Sequence, residues 1–108
     1  MFDFDLLKER ARVTPDRTAL ISAATGERLT YAGLDAVTDR AAGAVRAAGI
    51  QQGERYGILA LNSIEYVAFF FAAWRAGAIV VPLSTRATAH ELEGIVRDCG
   101  MKTLFHDG

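Results

Sequence analysis

The sequence predicts an α/β fold of three layers: a mostly parallel sheet with flanking helices, preceded by a small antiparallel hairpin. Three observations carry this. Residues 55–61 (RYGILAL) and 78–83 (AIVVPL) are continuous apolar runs, as in parallel strands covered on both faces. Helical stretches separate them from each other and from a third run, 101–106 (MKTLFH), so two strand–helix–strand crossovers follow in succession. Ahead of them, 18–22 (TALIS) and 28–30 flank the turn pair Thr25-Gly26, a hairpin pattern.

The totals agree with one folded unit. The chain has 108 residues, 51% of them hydrophobic and 23% charged, a globular composition. A net charge of −1 without a basic tract gives no electrostatic footprint for nucleic acid. The single cysteine, Cys99, excludes an internal disulfide and fits a reducing, cytoplasmic setting. MFDFDLLKERAR has acidic residues ahead of its apolar ones, unlike a secretory signal. The uncharged run from Tyr66 stops at Arg75, far short of the ~20 residues that span a bilayer.

Taken in order, residues 3–13 predict a short helix with Asp3 as cap and Phe2, Leu6, Leu7 and Ala11 on its apolar side. Thr14-Pro15 breaks it, because proline disfavours helix in the residue before it. After the hairpin, Thr30 caps a helix over 31–48 that stops at Gly49. Leu34, Val37, Ala41, Ala44, Val45 and Ala48 fall on its narrow apolar stripe. Asp35, Asp39, Arg40 and Arg46 lie on the side expected to be solvated. Gly49, Gly53 and Gly57 are read as serving turns before the next strand.

The helix over 63–75 is expected to be capped by Asn62, with Glu65 completing a capping box. Its aromatic and aliphatic residues sweep roughly 220°, against about 100° for an ordinary surface helix. Only Glu65, Ala68, Ala72 and Arg75 lie outside that arc. Phe69, Phe70 and Phe71 cannot all face one sheet. Nothing else in the chain is large enough to cover them, so Phe69, Phe70, Phe71 and Trp74 are candidate interface residues. They imply either further chain or a second copy as partner; each fully buried Phe contributes about 1.5–3 kcal/mol. Thr88 and Glu91 predict another capping box, opening a helix to Cys99 with Leu92, Ile95, Val96 and Cys99 on one face.

Signatures of chemistry are missing. No G-x-G-x-x-G or G-x-x-x-x-G-K-[ST] follows either buried strand, so neither offers a glycine-rich phosphate cradle. His90, His106 and Cys99 are far apart in sequence, no serine occupies a G-x-S-x-G elbow, and Glu91 and Glu93 point to different faces of one helix. No catalytic, cofactor-binding or metal-binding residue is assigned. Cys99 is read as a small core residue and His90 as solvent-facing.

The motifs do resemble a family. LTYAGL at 29–34 is similar to the L-[TS]-Y-x-E-L motif of the adenylate-forming (AMP-binding) acyl-CoA synthetase superfamily, and WRAGAIVVPL at 74–83 to its L-K-A-G-A-x-x-V-P-L motif. The intervening GERYGILALNSIEYVAFFFAAW resembles the family's G-D-x-V-x-I-x-x-x-N-s-x-E run, and TPDRTAL fits its usual opening. The resemblance covers nearly the whole chain, in order and spacing. Gly33 departs from the family's Glu, and Ser84-Thr85 from its usual N-P, which marks a divergent subgroup. The resemblance implies a parent that uses ATP and Mg²⁺ to convert a carboxylic acid, a fatty acid among the candidates, to an acyl-adenylate and then to an acyl-CoA. The phosphate loop, the aromatic-x-x-Glu segment, the ribose-binding Asp and the C-terminal lysine of that family have no counterpart here. Residues 1–108 are therefore expected to be an N-terminal subregion of its large domain, a scaffold that binds no cofactor alone. The alternative is a stand-alone interaction module that docks through helix 63–75.

Overall fold

A computed structural model describes residues 5–23, 25–59 and 63–106. Helix α1 (Leu6–Val13) starts at Asp5, whose side chain accepts from the Lys8 amide. The predicted cap Asp3 and the apolar Phe2 lie outside the described residues. Strands β1 (Thr18–Ile21) and β2 (Arg28–Thr30) pair antiparallel. Thr30 then caps α2 (Tyr31–Ala47), accepting from the Gly33 amide. Strand β3 (Arg55–Leu59), helix α3 (Ile64–Ala76), strand β4 (Ile79–Pro82), helix α4 (Ala89–Cys99) and strand β5 (Leu104–His106) complete the chain. The capping box at Thr88 and Glu91 forms at the head of α4.

The parallel sheet has the order β4-β3-β5. The first crossover moves one way from β3 and the second returns across it. Right-handed connections therefore place α3 and α4 on opposite faces. The core lies on the α3 side. Tyr56 and Ile58 point there and pack with Ala41, Ala42 and Val45 of α2 and Ala68, Ala72 and Ala73 of α3. Burial pushes the Tyr56 phenol up, and its hydroxyl donates to the Phe69 carbonyl.

Several expectations are corrected. The buried stripe of α2 is Leu34, Thr38, Ala41, Ala42 and Val45; Ala48 is the exposed C-cap. The stripe rotates because α2 faces the small side of α3, not the sheet alone. The cap of α3 is Ser63, which accepts from Tyr66 N, not Asn62 with Glu65; Asn62 lies outside the described residues. Serine caps as well as asparagine, so the helix starts one residue later. Most consequentially, α3 buries Ala68, Ala72 and Ala73, of which Ala68 and Ala72 had been placed outside its apolar arc. Alanines on both helices let the two backbones approach closely, and this outweighs burying the larger rings.

Gly57 sits inside β3, not in a turn. A Cβ there would stand 2.8 Å from Met101 Sδ and 2.9 Å from Leu104 Cδ1. The missing side chain thus lets Leu83, Met101 and Leu104 close over the second face of the sheet. Beyond that contact the second face is thinly covered: α4 buries none of its residues. Cys99 is half-buried, not a core residue. On the face formed by Leu92, Ile95, Val96 and Cys99, Ile95 is exposed and the other three are only half-buried.

Candidate functional site

Two places gather the residues that could bind something. The first is a cleft of about 310 Å³ at the carboxyl ends of β3 and β5, beside the start of α3. In an open parallel sheet this is where the crossovers diverge and ligands are commonly received. Tyr66, Phe69 and Phe105 line it, with Ile58 beneath and Ser63 and His106 at the ends of their elements. The Phe69 and Phe105 rings lie 4.7 Å apart, and Phe105 meets Tyr56 edge-on at 5.6 Å. The Ser63 hydroxyl is engaged by the Tyr66 amide at 3.2 Å. Glu65 and His106 both reach the cleft but form no ion pair within 4.0 Å among the described residues. The described lining of the pocket is mostly apolar.

The second place is the outer edge of α3. Phe70, Phe71 and Trp74 form a ring cluster with centroids 6.0–6.1 Å apart, the Phe70–Phe71 pair meeting edge-on. Trp74 is 46% exposed, and the three phenylalanines are half-buried. Of the four candidate interface residues, Phe70, Phe71 and Trp74 thus form one cluster, in which Trp74 is exposed and Phe70 also packs against the core. Phe69 turns inward to β5.

Sequence reasoning missed the ionic centre at the last turn of α3, where the helix meets α2. The Arg75 side chain is only 7% exposed. Its Nε donates to Asp5 Oδ2 at 2.7 Å, its Nη2 to Asp35 Oδ1 at 2.6 Å, and its Nη1 to Asp39 Oδ1 at 3.0 Å and to the Asp35 carbonyl at 2.9 Å. Asp35 and Asp39 are therefore not simply a solvated side of α2. A signal existed: Asp35 and Asp39 are four residues apart on one helix face, and Arg75 lies on the side of α3 that α2 covers. Burial disfavours charge on Arg75, but its bonds and attraction to Asp5 and Asp35 outweigh this and raise its pKa.

The titratable side chains of α4 and β5 are dispersed. His90 is exposed at the head of α4, Glu91 is bound into its cap, and His106 ends β5. Among the described residues no group of three or more His, Cys, Asp or Glu side chains could hold a metal ion. The loop after β4 contains Arg86 but no glycine.

Comparison with known proteins adds the parentage. A model of the AMP-binding enzyme family matches residues 7–108. A long-chain-fatty-acid–CoA ligase of Mycobacterium tuberculosis, FadD13, is 37% identical over 101 residues, covering 94% of this chain and 20% of that protein. The inhibitor-bound N-terminal domain of FACL13 from M. tuberculosis superposes with a TM-score of 0.89 at 37% identity, over 93% of this chain and 25% of that one. The o-succinylbenzoate–CoA synthetase MenE of Bacillus subtilis, solved with ATP and magnesium, gives a TM-score of 0.89 at 32% identity, over 94% and 27% of the two chains. The chain spans about 20% of the length of the curated relative it matches. No helix among the described residues is long and apolar enough to cross a membrane.

Proposed function

The chain belongs to the family of AMP-binding enzymes, and on that premise we propose that it is the opening α/β subregion of the large domain of an ATP-dependent acid–CoA ligase. The observation that carries this reading is one of proportion. Nearly all of this chain aligns with a fifth of FadD13, and two of its faces, the aromatic edge of α3 and the apolar side of α4, are only partly covered among the described residues, leaving Trp74 and Ile95 exposed. Its role is that of a scaffold, and its first partner is the remainder of the parent chain. ATP, Mg²⁺ and coenzyme A are cofactors of that whole enzyme. FadD13 is named for long-chain fatty acids, whereas MenE is named for o-succinylbenzoate. The subregion does not decide between them. The half-buried free thiol of Cys99 suits a reducing cytoplasm.

The 108-residue chain is predicted to show no ATP–pyrophosphate exchange above background with any acid; measurable exchange would overturn the scaffold reading. A second reading is favoured by one observation, the exposure of Trp74 beside Phe70 and Phe71. On it, the chain is an interaction module that self-associates through this edge. Reading the coding sequence beyond codon 108 separates the two. A phosphate loop downstream supports the ligase, and a stop codon supports the module.

A further inference from the structure

The Arg75 centre ties three helices together, and the three ties are unequal. α2 contributes Asp35 and Asp39, both carried on a helix that is packed through Ala41, Ala42 and Val45. α1 contributes only Asp5, its own N-cap. The rest of the attachment of α1 is slight. Leu7 is its one buried residue, while Leu6 and Val13 are exposed. Lys8 reaches Asp35 at 3.4 Å and Asp39 at 3.8 Å from an exposed position, where ion pairs contribute little. Arg10 stands 6.0 Å over the Tyr31 ring.

The far end of α1 is fixed differently. The Pro15 and Arg17 carbonyls accept from the Ala32 and Tyr31 amides, two of the donors that the first turn of any helix leaves unpaired. Among the described residues, one end of α1 is therefore anchored by backbone, and the other is held by the charged Asp5–Arg75 hydrogen bond, with the seat of Leu7 and the exposed Lys8 pairs beside it. Loss of that bond leaves Arg75 still paired with two carboxylates and a carbonyl, so opening strands no buried charge.

We infer that α1 is a strap: it swings about residues 14–17 and is latched shut by Asp5 on Arg75, while α2, α3 and the sheet remain folded. This goes beyond the ligase reading and does not depend on it. Opening uncovers the seat of Leu7 and frees one edge of the guanidinium.

Hydrogen exchange resolved along the 108-residue chain tests this with Asp5→Asn. Asparagine caps a helix as well as aspartate does, so the variant removes the negative charge that faces Arg75 and keeps the cap. Protection of residues 6–13 is expected to fall by about tenfold or more, as for loss of a hydrogen bond between charged groups. Protection of α2, α3 and β3 should not change. Unchanged protection in α1 overturns the latch. Joint loss across α1, α2 and α3 overturns the strap, because α1 would then be part of one cooperative core.

Discussion

At the residue scale the decisive side chain is Arg75. It sits on the small-residue side of α3, and a guanidinium can satisfy several carboxylates in one fork. Replacing one partner of such a buried pair costs about 3–5 kcal/mol when a charge is left alone, but here each carboxylate has companions. The pH response follows from Asp5. Burial raises its pKa, but the bond from Arg75, the Lys8 amide and the charges of Arg75 and Lys8 together hold it below the ordinary value of 3.8. A carboxyl depressed on folding contributes stability in full above its unfolded value and loses it as pH falls through the folded one. The charged groups acting on it are Arg75 on α3 and Lys8 on α1, and Arg75 in turn holds Asp35 and Asp39 of α2; none is a histidine. Protection of α1 should therefore persist from neutral pH down to about 3.8 and be lost below it. Loss near pH 6, where an unperturbed histidine titrates at roughly 6.5, would contradict the assignment.

At the scale of elements, helix existence and strand order of appearance were legible because apolar periodicity and caps are local signals. Thr30 and Thr88 cap where the sequence says they do. Which face of α3 turns inward was not legible. The aromatic arc is wide enough to point anywhere, and the choice was made by alanines on α2 that have no local reason to pair with Ala68 and Ala72. Gly57 was misread for the same reason: its contacts with Leu83, Met101 and Leu104 come from distant parts of the chain. Gly33 was legible as a departure from a family motif, and the structure gives it a physical meaning. It occupies the third position of α2, whose first turn holds no acidic residue. A Cβ there would stand 3.0 Å from Leu29 Cδ1, the far end of a flexible side chain. Gly33→Glu should stabilise the chain by about 1 kcal/mol, from helix propensity and the helix dipole. In thermal melts that is a rise in Tm of about 4–8 °C; a fall would show that Leu29 cannot give way.

At the scale of the molecule, the seam between α2 and α3 is complete and the outer faces are not. Trp74, Ile79, Ile95 and Leu104 are exposed large apolar residues spread over α3, α4 and both outer strands of the parallel sheet. Parentage was legible in the sequence because motif spacing survives divergence; the uncovered faces were legible only for α3, where three consecutive phenylalanines give too many rings for one sheet. The open side of α4 was not, since its capping box and apolar face look like those of a packed helix. The site was the least legible feature: the switch-point cleft needs β3, β5 and α3 together, and the ionic centre needs residues up to 70 positions apart. On the proposed function, the cluster of Phe70, Phe71 and Trp74 is a surface that the rest of the parent covers, with Trp74 at its exposed centre. Sedimentation velocity of the 108-residue chain against Trp74→Asp tests it most directly, since Trp74 is exposed and its replacement leaves the α2–α3 seam intact. The prediction is concentration-dependent association of the unchanged chain and a monomer for the variant; a monomer in both, over the same concentrations, would contradict it.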